Sequence, residues 1–368
     1  MSKMNINEKR IIKTFTELAA ISSPSWEEKQ VIAYIQKYLK DIGIPSKKLP
    51  CGKSHNLYVS IKGSIKDTPL LLSCHTDTVT PCENVKPVIQ KDRITSDGTT
   101  ILGSDDKSAI AMFLEAVTIL KEEKIAHRTI EILFSCAEEI GLHGIKEFDM
   151  SLIKSKEAYV FDSDGPIGSV ILEAPYHAKM TLKVLGKAAH AGMAVEKGKN
   201  AIVALSHLIT QLPQGNIDEN TTFNVGIISG GSATNIVAPE AFCDIEFRSI
   251  NKKKIEDVRA QVKLLAKETA NSFSVKIKTD YELEYGGFSL EKDDAVVKKA
   301  VSALKSIGIK AKYKSSGGGS DTNIMNSKGI NAVNLSCGME KVHTTDEFIM
   351  IKELIKGAQL TLALIRKS

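Results

Sequence analysis

A chain of 368 residues, 42% hydrophobic and 25% charged, has the composition of a soluble globular protein and length for two or three domains, which excludes disorder as its overall state. Its 49 basic and 44 acidic residues leave a net charge of +5, and the longest basic cluster, at 252–254, is a triplet, so nucleic-acid binding is not expected. No apolar run reaches the ~18–20 residues of a membrane span. The charged start M-S-K-M-N-I-N-E-K-R is no secretory signal, and six scattered cysteines (Cys51, Cys74, Cys82, Cys136, Cys243, Cys337) read as free thiols of a cytoplasmic protein.

The first 42 residues read as two helices. Ile11, Phe15 and Leu18 recur at helical spacing, and Ser25, with Glu28 three residues on, reads as the cap of the second. Short apolar runs at 56–61, 70–74, 130–136, 159–161 and 332–335 read as strands. Between two of them an amphipathic helix carries Ile110, Phe113, Leu114, Val117 and Leu120 on one face. Such alternation predicts an α/β layered domain. The middle of the chain reads strand–helix–strand–strand–helix–strand, the ferredoxin-like split unit. After Gly286-Gly287 the first pattern resumes and closes on a helix striped by Ile351, Leu354, Ile355, Ala358 and Leu362. The economical organisation is a domain at 1–175 and 288–368 with a small α+β domain, 176–287, inserted into it.

Residues of metal-ligand type gather at one kind of place. His75 and Asp77 follow L-L-L-S-C, Glu138 and Glu139 follow E-I-L-F-S-C-A, Asp162 follows Y-V-F, and His343 follows A-V-N-L-S-C. In open α/β sheets, sites form beyond the carboxyl ends of strands, so these segments can converge, and Asp105 can join them from the start of the amphipathic helix. Each has a plainer reading. Glu138-Glu139 and Asp105-Asp106 suit helix starts, and a lone His after a strand is ordinarily a loop residue. Their common placement favours a site.

The ordered set H-T-D-T-V (75–79), L-G-S-D-D-K (102–107), A-E-E-I-G (137–141), F-D (161–162) and V-H-T (342–344) resembles the di-zinc exopeptidases and deacylases that include aminoacylase, glutamate carboxypeptidase and peptidase T, and peptidase T and its relatives most of all. The resemblance implies a zinc-exopeptidase-like catalytic domain with a mixed sheet flanked by helices, and an inserted lid and dimerisation domain. It implies two divalent ions, zinc first, with cobalt or manganese as alternatives. His75 and Asp162 would bind one and Glu139 and His343 the other, with Asp105 bridging. Asp77 would orient His75, and Glu138 would be the general base. Where peptidase T has a D-G-G-P-like stretch, this chain has D-S-D-G-P (162–166), which makes Asp164 a competing ligand; Asp162 is preferred because it directly follows the strand.

In the inserted domain, His190 in G-K-A-A-H-A-G, Asn235 in G-G-S-A-T-N-I-V and Arg248 in D-I-E-F-R-S match substrate-binding positions of the family. Arg248 would grip a free peptide carboxylate. His190 would reach the active site of the other subunit of a homodimer and stabilise the oxyanion. Gly317-Gly318-Gly319-Ser320-Asp321, before a helix expected at 321–327, is a further candidate for contact with substrate. The implied function is release of the N-terminal residue from tripeptides. A dipeptidase, carboxypeptidase or N-acyl-amino-acid deacylase shares the same metal motifs and stays open, as does a non-catalytic metal-binding relative. Neither a membrane nor a nucleic acid is an expected partner.

Overall fold

The computed structural model describes residues 5–366. They divide into two units. One runs to Leu172 and resumes with Leu290–Ser316 and from Ser320 onward; the other comprises Glu173–Ser289 and Gly317–Gly319.

In the first unit the opening apolar stripes fold as α1 (Glu8–Ala19) and α2 (Lys29–Asp41), which bury Ile11, Phe15 and Leu18 and then Val31, Ile32, Ile35 and Leu39. Ser25 does not cap α2. Its hydroxyl donates to the buried carboxylate of Asp77 at 2.7 Å, and Glu28 occupies the cap position with no side-chain bond to the helix. A buried carboxylate needs donors more than an exposed helix start does, so the tertiary contact wins. The chain continues through β1 (Ser46–Cys51), β2 (Ser54–Ile61), β3 (Leu70–His75), β4 (Val88–Ile89), β5 (Arg93–Thr95), α3 (Ser104–Glu122), β6 (Ile130–Ser135), α4 (His143–Glu147), β7 (Glu157–Ser163) and β8 (Ser169–Ala174).

The second unit is built from β9 (Tyr176–Leu185), α5 (Ala201–Gln211), β10 (Gly215–Asp218), β11 (Thr221–Gly230), β12 (Glu240–Ser249), α6 (Lys252–Ser272), β13 (Lys276–Tyr285) and β14 (Phe288–Ser289). Its antiparallel sheet runs β10-β11-β12-β9-β13, the split βαββαβ order extended by the short β10. Leu205 and Leu208 of α5 and Ile255, Val258 and Val262 of α6 cover one sheet face, against Leu182, Val184, Cys243, Ile245 and Phe247.

The first unit resumes with α7 (Ala295–Ser306), β15 (Lys312–Ser315), α8 (Asp321–Ser327), β16 (Asn331–Ser336), β17 (Met339–Glu340), β18 (Phe348–Met350) and α9 (Ile351–Ile365). Its main sheet is mixed, in the order β1-β2-β6-β3-β7-β16-β8. The central pairs β6–β3, β3–β7 and β7–β16 are parallel, so four strands deliver their carboxyl ends to one edge. The helix expected to be amphipathic is α3, and it is buried on every side from Ser104 to Leu120, because it packs against α1 and α9 as well as β3 and β7. Its one mid-helix acid, Glu115, is neutralised by Arg10 at 2.6 Å.

Candidate metal centre

The sheet edge gathers the ligand-type side chains. His75 ends β3, Asp105 lies in the first turn of α3, Glu138 and Glu139 follow β6, Asp162 lies near the end of β7, and His343 lies between β17 and β18. His75 Nε2 is 3.0 Å from Asp105 Oδ1 and 3.7 Å from Asp162 Oδ1. His343 Nε2 is 3.2 Å from Asp105 Oδ2 and 3.1 Å from Glu139 Oε1. Two triads result, His75–Asp105–Asp162 and Asp105–Glu139–His343, each with its candidate donor atoms within 4.8 Å of one another and both using Asp105. Asp164 is exposed and belongs to neither.

Glu138 also stays outside both triads, although it is buried. Burial, and then the repulsion of Asp162, push its carboxyl well above the usual range. Burial and Asp105 push Glu139 up to about 7, against the pull of His343. Asp105 runs the other way: against the cost of burial, hydrogen bonds from His343 and His75 hold it well below the ordinary value. Glu138, buried, and Glu139, half-buried, lie in the turn between β6 and α4, not at the solvated start of a helix. Asp77 holds that turn. Its carboxylate accepts from the N–H groups of Glu138 at 3.0 Å and Glu139 at 3.1 Å. For His75, the nearer part of Asp77 is its main-chain carbonyl, 2.9 Å from Nδ1, with the carboxylate at 3.5 Å.

In the second unit, His190 and Asn235 lie on adjacent paired segments. His190 bridges to Ile236, and Ala191 N–H donates to Asn235 O at 3.0 Å. Both side chains are exposed. Arg248, near the end of β12, donates to Glu246 at 3.2 Å and to Gly317 O at 3.4 Å. Glu246 is in turn 2.8 Å from His177 Nε2. The His177 bond, reinforced by Arg248 against partial burial, holds the Glu246 carboxyl down at about 2.

Known proteins resemble this chain in sequence and fold. The profile of the peptidase dimerisation domain matches residues 173–273, and that of peptidase family M28 matches 56–190. An uncharacterized Bacillus subtilis protein, YqjE, is 38% identical over 99% of both chains. Peptidase T of Fusobacterium nucleatum is 31% identical over 77% of this chain and 69% of its own length. Among solved structures, aminopeptidase PepT from Bacillus cereus is 37% identical with a TM-score of 0.89, and a tripeptidase from Staphylococcus aureus is 36% identical with a TM-score of 0.92, each covering 98% of both chains. The chain belongs to the peptidase T-like M20 exopeptidases. It is a metallopeptidase that acts on peptides.

The divalent ions that this peptidase family implies meet a fitting donor set. The Asp77 carbonyl can only accept, so His75 carries its proton on Nδ1. With Nδ1 so occupied, Nε2 is the nitrogen that faces Asp105 and Asp162, and a cation bound there would take the place of the proton that His75 otherwise shares with Asp105. His343 likewise faces two carboxylates. Imidazole and carboxylate donors suit zinc, and also cobalt or manganese.

Three residues of the exopeptidase's site region escape a reading by strand-end motifs. Glu28 accepts from Ala137 N–H at 2.9 Å and so holds the turn before Glu138. Asp321, the last residue of the glycine-rich run and the first of α8, is buried against Ser135 at 2.6 Å and pushed up to about 7 chiefly by burial. Glu347 is buried and accepts from the turn that carries Asp105. The only sequence signal for Glu347 is an acid four residues past His343, and its partners lie more than 240 positions away.

Proposed function

We propose that this exopeptidase is a two-metal tripeptidase that releases the N-terminal residue of short peptides, with one zinc ion on His75, Asp105 and Asp162 and a second on Asp105, Glu139 and His343. The reading is carried by two triads that share one carboxylate, with a further buried carboxylate beside them and in neither. Likeness to peptidase T, to an aminopeptidase and to a tripeptidase supports the substrate class.

When bound, two divalent ions acidify water and polarise a scissile carbonyl. Glu138 is the general base: it takes the proton of the attacking water and returns it to the leaving amine as the C–N bond breaks. Asp77 holds the backbone of Glu138 and Glu139 through its carboxylate and the tautomer of His75 through its carbonyl. His190 donates to the oxyanion, Asn235 contacts substrate, and Arg248 grips the C-terminal carboxylate. The chain works as a cytoplasmic homodimer joined through its second unit.

The test is elemental analysis of the purified protein together with hydrolysis of tripeptides, dipeptides, amidated tripeptides and N-acyl amino acids. Two zinc equivalents and a preference for free tripeptides are expected. Preferred turnover of acylated amino acids or dipeptides would replace the tripeptidase reading, and one metal equivalent or none would overturn the two-metal centre.

A further inference from the structure

Glu347 lies in the loop between β17 and β18, four residues past His343, and is 1% exposed. Its carboxylate accepts four hydrogen bonds. Leu102 N–H and Gly103 N–H donate to Oε2, each at 2.8 Å. Ser104 Oγ donates to Oε1 at 2.6 Å and Asp105 N–H at 3.1 Å. All four donors belong to the turn that opens α3.

This turn is shaped to hold an anion. Gly103 has φ 73°, the left-handed region in which a side chain is strained. With that residue left-handed, the N–H groups of Leu102, Gly103 and Asp105 converge on one carboxylate, as they do at helix starts that bind anions. An acid of the first turn ordinarily serves there. Asp105 does not, because its carboxylate is turned to His75 and His343. Glu347 supplies the negative charge instead, from the far end of the sequence. Its own N–H donates to Thr344 O at 3.1 Å, which closes a turn directly after His343. One residue thus ties together the two loops that carry Asp105 and His343.

We propose that Glu347 is a positioning residue that clamps the His343 loop to the Asp105 turn and so sets the affinity of the Asp105–Glu139–His343 set for its metal. This rests on the two-metal reading. The physical case is preorganisation. A ligand on a free loop must be ordered when the ion binds, whereas a ligand already clamped need not be. Partners standing behind the ligands of a metal typically change its affinity by about 10–100-fold. In Glu347→Gln one oxygen becomes an NH₂ group that faces N–H donors, so half of the clamp turns repulsive.

A control is available in the same unit. Glu131, 1% exposed on β6, also gathers four donor groups: Tyr58 Oη, the N–H groups of Lys154 and Ser155, and Ser155 Oγ. None of these belongs to a candidate ligand. Glu131→Gln therefore removes a buried carboxylate clamp of equal size without touching the metal loops.

The experiment titrates zinc into metal-free protein against a chromophoric chelator and resolves two stepwise constants, with thermal unfolding of the metal-free protein as a check on folding. Glu347→Gln should weaken one zinc site about 10–100-fold and the other less, with kcat recovering toward the wild-type value at saturating zinc, while Glu131→Gln leaves both constants in place. Ser104→Ala, which removes one bond of the clamp, should shift the same site in the same direction by less, and it decides the matter if Glu347→Gln fails to fold. Zinc constants within twofold of wild type in folded Glu347→Gln, or an equal shift in Glu131→Gln, would overturn the proposal. A wild-type protein that takes up fewer than two zinc ions overturns the two-metal reading itself, a result distinct from a variant that binds two ions as tightly as wild type.

Discussion

Glu138 and Glu139 are neighbours in the chain and differ in surroundings. Glu139 lies 3.1 Å from His343, whereas Glu138 belongs to neither triad and is crowded by Asp162. Replacing Glu138 by Gln keeps the shape and removes the proton shuttle, so both metals should stay bound while kcat falls at least the ~10²–10⁴-fold that general acid–base catalysis contributes. Metal analysis beside kinetics checks this, and loss of an ion would mean that the two glutamates have exchanged roles. Glu246 offers a test in the second unit. Its carboxyl is held at about 2, below the ordinary 4.5, so the stability it adds is present above pH 4.5 and is lost as pH falls from there toward about 2. Glu246→Gln should lower the melting temperature at neutral pH and flatten its fall in acid, measured against wild type by a thermal scan at each pH. Residues at strand ends were legible in the sequence because each sits in a short local motif. Glu347 and Glu28 were not, because their meaning lies in backbone donors that only the fold brings near.

At the scale of elements, periodicity identified most strands and helices, and it misjudged α3. A stripe of Ile110, Phe113, Leu114, Val117 and Leu120 predicts one buried face, but the rest of the helix carries Ala109, Ala111, Met112 and Ala116, small or apolar residues that admit α1 and α9. Polar residues such as Glu115 hid this, since a salt bridge from Arg10 is invisible to a hydrophobic pattern. Phe113 stands where the helix meets the sheet, edge-on to Phe161 at 5.1 Å between ring centroids and near Phe134 at 6.4 Å. Phe113→Ala should cost about 3–5 kcal/mol, read as a lower denaturant midpoint. Because Phe161 directly precedes Asp162, the same variant should also loosen zinc binding at the His75 triad. Unchanged metal affinity in the folded variant would show that β7 holds Asp162 without help from α3.

Assembly is decided at the scale of the whole molecule. Beyond Phe223, β11 is paired only with β12 among the described residues, and Ile227 and Ile228 on it are 56% and 58% exposed. On α5, Ile202 and Val203 are also exposed. An unpaired strand edge with aliphatic side chains beside it invites pairing with a second chain, and a two-fold operation would join the same strand of each copy. This surface lies within the segment matched by the peptidase dimerisation domain. Ile227→Lys with Ile228→Lys should therefore give monomers by sedimentation. The proposed role of His190 adds a stricter test. His190→Ala and Glu138→Gln homodimers should each be poorly active, the first lacking an oxyanion donor worth about 10²–10³ in kcat and the second lacking the base. If His190 serves the partner's centre, refolding the two together creates heterodimers in which one centre has both residues, and activity partly returns. If it serves its own chain, each subunit of the heterodimer keeps its own defect and no activity returns, although heterodimers are present. A monomeric charge variant with full activity would exclude the crossing altogether, because His190 would then have no partner to serve.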